Sequence, residues 1–130
     1  MKRGQIFSFD NLVDIKDLTL IILFSPAERS FFGVLEQAVW GRYRVLGKVR
    51  LGDLVQPAKG LSAGKRTGAW DRIHQKHVDI VLCQPDTLAV AGVVELDDAS
   101  HRRKDRAERD EFVDKALSTA GIPIVVHSFS

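Results

Sequence analysis

One cysteine, Cys83, is all the thiol the chain has, which excludes an internal disulfide framework and any zinc ribbon built on several cysteines. Long apolar runs are missing too. The longest, Leu18 to Phe24, is seven residues with Thr19 inside it, where a membrane-crossing helix needs about 20. Lys2 and Arg3 open the chain, but Asp10, Asp14 and Asp17 follow and spoil a signal-peptide pattern. A cytoplasmic location with no membrane is therefore expected. There is no internal repeat and no low-complexity tract. Net charge is slight at +2 and argues for no partner by itself. What remains is 130 residues, 45 % apolar and 28 % charged, which suits one globular domain around a single core.

The small net charge hides a separation. Residues 41–77 hold Arg42, Arg44, Lys48, Arg50, Lys59, Lys65, Arg66, Arg72 and Lys76 against only Asp53 and Asp71. Residues 78–101 hold no lysine or arginine but five carboxylates: Asp79, Asp86, Glu95, Asp97 and Asp98. A basic block beside an acidic one suits a protein that attracts polyanions and gathers carboxylates. The alternative is clustering on solvated loops.

Ser25-Pro26-Ala27-Glu28 reads as a helix start, with Ser25 as N-cap, Pro26 as first helical residue and Glu28 closing a capping box. Phe31, Phe32, Leu35, Ala38 and Val39 then give one apolar helical face, and Gly41 ends it. Residues 43–51 read as a strand or strand pair bent at Gly47. The glycine-rich stretch 52–70 reads as a surface loop. Residues 78–83 and 89–96 are two apolar strands joined by the turn residues Gln84-Pro85-Asp86-Thr87, an antiparallel hairpin. Ala107, Phe112, Val113, Ala116, Leu117 and Ala120 trace a helix, capped at Gly121, before a last strand from Ile122 to Val126. The order is helix, one or two strands, hairpin, helix, strand. That is an α/β fold with a small mixed sheet flanked by helices.

The hairpin constrains the carboxylates. A turn centred near residues 86–87 makes opposed residue numbers sum to about 172 to 174, so Asp79 faces a residue between Val93 and Glu95. Glu95 and Asp97 share one face of their strand. Three carboxylates thus converge near one end of the hairpin. Their mutual repulsion calls for a metal cation, a protonated member or several hydrogen-bond donors. A hard divalent ion, Mg²⁺ or Mn²⁺, suits such oxygen ligands and leaves room for water and phosphate. The alternative for Asp79, Asp97 and Asp98 is turn capping at strand ends.

These residues resemble a known family. Ser25-Pro26-Ala27-Glu28-Arg29, His77-Val78-Asp79-Ile80-Val81-Leu82, Val94-Glu95-Leu96-Asp97-Asp98 with His101, and Ala120-Gly121-Ile122-Pro123 are similar to the bacterial DUF2726 domain over residues 25–127. That family looks like a branch of the PD-(D/E)xK, or restriction-endonuclease-like, superfamily. The resemblance implies an αβββαβ core in residues 25–130, with residues 1–24 as an N-terminal extension. It implies a metal-dependent nuclease in which Asp79 and Glu95 are the acids of the motif. Asp97 stands where the motif has lysine, and the resemblance leaves three ways to make up for it: Asp97 as a further ligand, His101 as the group that handles protons, or a lysine entering from elsewhere, Lys76 or Lys104 being nearest. Glu28 matches a first-helix acid that some members direct at the metal.

The expected catalytic residues are therefore Asp79, Glu95, Asp97 and His101, and the metal ligands Asp79, Glu95 and Asp97. Lys48, Arg50, Lys65, Arg66, Lys76, Arg102, Arg103 and Lys104 are the expected contacts to nucleic acid, DNA rather than RNA. Two other readings stand beside this one. One is a binding module on a nuclease-like scaffold that has lost chemistry. The other is an assembly domain in which Leu18–Phe24 pairs chains as a homodimer.

Overall fold

The computed structural model describes the backbone of residues 15–98 and 104–129, and the side chains of 16–97 and 111–129. Helix α1 (Pro26–Ala38) starts as its capping residues dictate. The Ser25 hydroxyl accepts from the Glu28 amide at 3.2 Å, and Glu28 Oε1 accepts from the Ser25 amide at 2.9 Å. The Glu28 carboxylate is thereby engaged in the reciprocal cap, which satisfies amides the first turn leaves unpaired. The helix stops at Ala38, earlier than its expected end at Gly41. Gly41 instead takes φ +79° in the turn that follows.

Strand β1 (Arg44–Arg50) is one unbroken strand, not a pair. Gly47 is not a turn residue. A Cβ there would lie 2.8 Å from the Phe24 ring, so the missing side chain lets that ring pack on the strand. The stretch expected to be a loop contains helix α2 (Ala63–Ile73), with Ser62 as N-cap accepting from the Lys65 amide at 3.3 Å. Strands β2 (His77–Cys83) and β3 (Val90–Asp98) form the expected hairpin. Ile80 opposes Val94 and Val81 opposes Val93, within the register the turn predicted, with an irregularity at Leu82/Cys83. Helix α3 (Lys104–Thr119) ends on Gly121 at φ +80°, where Gly121 and Ile122 donate to the Ser118 and Leu117 carbonyls. That is the paired closure of a left-handed glycine cap. Strand β4 (Ile124–Phe129) follows.

The sheet runs β1-β2-β3-β4, antiparallel except for the parallel β3–β4 pair. Its strands alternate side chains between two apolar layers. Leu51, Ile73, Val78, Val81, Cys83, Val93, Val113 and Leu117 form the layer under α2 and α3. Ile80, Val94 and Leu96 form the layer under α1, with Phe24, Phe31, Phe32 and Leu35 packed on them. Phe24 thus packs on the core from the end of the expected extension. Among the described residues no helix is long and apolar enough to cross a membrane.

Candidate functional site

Asp79 lies inside β2, yet its neighbours break the strand's alternation. Val78 belongs to the α2/α3 layer and Ile80 to the α1 layer, although two residues apart on a regular strand share a face. β1 inverts at the matching point. Val45 packs in the α1 layer and Gly47 lies against Phe24 and Phe32, whereas Val49 packs in the α2/α3 layer. Between them Lys48 takes φ +56°, and the β1–β2 register passes from Gly47↔Ile80 to Val49↔Val78 without pairing Lys48 to Asp79. A left-handed residue other than glycine costs about 1–2 kcal/mol. Both strands therefore turn over at one residue pair.

That turnover fixes where the side chains go. The β2–β3 ladder stops at Ile80↔Val94, and beyond it Asp79 Oδ2 accepts from the Leu96 amide at 2.8 Å. A carboxylate thus replaces a main-chain carbonyl as the partner of β3. Asp79 Oδ1 lies 3.7 Å from Lys48 Nζ, with the two side chains 26 % and 33 % exposed. The same ammonium sits 4.9 Å from the centre of the Phe24 ring. Sequence reasoning placed Lys48 among nucleic-acid contacts and missed it as the cation beside Asp79. Only the β1–β2 register brings them together, and no local motif carries that register.

Glu95 and Asp97 flank the amide that Asp79 holds. Val93 packs in the α2/α3 layer, and Val94 and Leu96 in the α1 layer, so alternation puts Glu95 and Asp97 together on the α2/α3 side. Both are half-buried. Among the described residues no three His, Cys, Asp or Glu side chains gather closely enough to hold a metal ion together. The charge of Asp79 is answered here by Lys48 and a main-chain donor, two of the remedies that crowded carboxylates admit. His101, Arg102 and Arg103 lie outside the described residues, as does the side chain of Lys104.

The other expected contacts disperse. Arg50 reaches Asp53 through two hydrogen bonds of 2.8 and 3.2 Å, and this guanidinium holds the Asp53 carboxyl below its ordinary range. Lys76, expected to lie near the acids, instead donates to the Arg72 carbonyl and sits 4.7 Å from the Phe112 ring centre. It shares that ring with Arg72 at 4.3 Å, on the α3 side. Lys65 and Arg66 are exposed in the first turn of α2. His77, an exposed residue opposite Arg50, adds to the field that lowers Asp53. His127 stacks on Phe31 at 4.2 Å between ring centres. Cys83 is buried, and desolvation pushes its thiol up, away from the reactive thiolate.

The family model for DUF2726, described as a protein of unknown function, matches residues 21–128. The chain belongs to the DUF2726 family. No curated protein and no solved structure matches it significantly. In this DUF2726 domain the match runs from before α1 to the next-to-last residue of β4, and takes in the Lys48–Asp79 pair with Glu95 and Asp97.

Proposed function

We propose that this DUF2726 domain is a divalent-metal-dependent nuclease of the restriction-endonuclease-like PD-(D/E)xK superfamily, hydrolysing the phosphodiesters of DNA. The supporting observation is the meeting of Asp79, the Leu96 amide and Lys48 where β2 parts from β3. The element order agrees with the αβββαβ core of that superfamily, with α2 inserted between the first two strands.

The donor set suits a hard ion. Mg²⁺ usually takes one or two carboxylates and completes its octahedron with water and substrate oxygens. Asp79 with Glu95 or Asp97 is sufficient for that, and no three-carboxylate cage is required. Held there, Mg²⁺ or Mn²⁺ would supply Lewis-acid chemistry, activating water and offsetting charge on the phosphodiester. The chain does the rest. The Leu96 amide keeps the Asp79 carboxylate in one orientation. Lys48 supplies, from β1, the positive charge that Asp97 does not provide at the motif's lysine position, and its ammonium holds a phosphate oxygen. His101 takes the proton-transfer role.

A second reading has an observation of its own. Lys48 and the Leu96 amide already balance Asp79, which suits a binding module that has lost chemistry. Cleavage of plasmid and single-stranded DNA with Mg²⁺ or Mn²⁺ separates the two. The nuclease reading expects cleavage that chelation of the metal abolishes. It also expects Asp79→Asn and Lys48→Met each to lower the rate by about 10²-fold or more, the usual cost of removing one preorganised electrostatic group. Equal cleavage by the parent and Asp79→Asn overturns it. Salt-sensitive binding with no cleavage selects the inactive module.

A further inference from the structure

Away from the carboxylates, the turn between α1 and β1 presents Trp40 with 84 % of its surface exposed. The turn is well tied. Trp40 donates to the Gln37 carbonyl, and the Arg42 and Tyr43 amides both donate to Val39 O, at 2.8 and 3.1 Å. Gly41 at φ +79° lets the chain double back. An indole held open to water on an ordered turn forgoes the burial that usually stabilises an aromatic side chain. It borders a cavity of about 500 Å³ whose other walls include Glu36, Tyr43, Arg44 and Pro85.

The chemistry of that wall is mixed in an informative way. Trp40 and Tyr43 offer π faces, Arg44 a cation, and Glu36 a carboxylate acceptor. A nucleotide uses all three: its base stacks, its phosphate meets the guanidinium, and its base N–H groups donate to a carboxylate. An aliphatic ligand leaves both charges unused. Position adds a second argument. Val45, which also lines the cavity, packs in the α1 layer, as does Phe24, over which the Lys48 ammonium sits. The cavity and Lys48 therefore lie along the same edge strand, on the side that α1 covers. From Arg44 to Lys48 the strand advances about 13 Å at 3.3 Å per residue. A nucleic acid strand stacked at about 3.4 Å per nucleotide spans that in roughly four nucleotides.

The geometry points to the Trp40 cavity as a base-stacking site for single-stranded nucleic acid, placed roughly four nucleotides from Asp79. This inference rests on the nucleic-acid reading above and names its substrate class. In a duplex the bases stack on one another and present no free face to the indole, so the site selects single strands, overhangs or frayed ends.

The test uses the full chain carrying Trp70→Phe, which leaves Trp40 as its one tryptophan. A single-stranded oligonucleotide of about a dozen nucleotides, added without divalent metal, quenches Trp40 fluorescence to saturation. A blunt duplex of the same sequence does not. By fluorescence polarisation, Trp40→Ala weakens single-strand binding about tenfold, leaves duplex binding unchanged, and Trp40→Phe restores most of the loss. Absent quenching, or single-strand affinity unchanged in Trp40→Ala, overturns the inference. The two readings fail separately. A chain that quenches but never cleaves retains this site and loses the nuclease. A chain that cleaves through Asp79 with Trp40 unquenched retains the nuclease and loses this site.

Discussion

Lys48 and Asp79 are each unusual alone, one for its left-handed backbone inside a strand and the other for a carboxylate that stands in for a ladder carbonyl. Together they explain each other. A strand residue at φ +56° throws its side chain off the regular alternation, and at the matching point of β2 Asp79 takes the Leu96 amide just beyond the last β2–β3 pair. The two partners of Asp79 differ in worth. A partly exposed ion pair contributes under about 1 kcal/mol, whereas a sheltered amide left unpaired costs about 1–3 kcal/mol. Asp79→Ala, which removes both, is expected to destabilise the domain by about 1–3 kcal/mol. Asp79→Asn keeps an oxygen acceptor for Leu96 and is expected to cost less than about 1 kcal/mol. Urea unfolding of the two variants checks the order. Equal losses of stability would mean that the hydrogen bond from Leu96 contributes little beside the ion pair.

Elements with strong local signals were legible. The Ser25–Glu28 capping box, the Gly121 cap and the Pro85-Asp86 turn each encode geometry over a few residues. The hairpin register followed because a turn's centre sets which residues oppose each other. Helix α2 was not legible, because Gly64 and Gly68 lower its intrinsic propensity and only Ile73 among its residues is buried. Its stability comes from docking on the α2/α3 layer and from Ser62. Gly47 misled for a related reason. A glycine within a strand marks either a bend or a close approach, and only the packed Phe24 ring decides. Gly47→Ala is expected to push that ring aside and cost about 1–3 kcal/mol, as overpacking does. The same ring supports the Lys48 ammonium, so under the proposed nuclease function the variant should also lower the cleavage rate. Unchanged thermal unfolding would show that the ring moves freely.

On the whole molecule the basic block of residues 41–77 does not form one patch. Arg44 lines the Trp40 cavity with Glu36 of α1, and Lys48 sits over Phe24 in the α1 layer, whereas Lys65, Arg66 and Arg72 ride on α2, which packs on the opposite face of the sheet. Arg50 is already paired with Asp53. Only one of these groups is expected to track a strand running from Trp40 to Asp79. Single-strand affinity should fall with salt, and each lost phosphate contact should lower the logarithmic slope by about 0.7. Arg44→Ala with Lys48→Ala should therefore flatten the slope, and Lys65→Ala with Arg66→Ala should leave it nearly unchanged. A salt titration of binding by the parent and both double variants checks this, and equal flattening by both pairs would mean that α2 also contacts the strand.

The sequence alone determined whatever depends on neighbours a few residues apart: the caps, the hairpin and its register, and the shared side of Glu95 and Asp97. Those follow from dihedral preferences and from the two periodicities of helix and strand. Tertiary structure decided that Lys48 reaches Asp79, that α2 exists, and that Trp40 is left facing solvent. Each depends on how separate elements dock, where the free energy lies in packing between distant residues rather than in any local pattern.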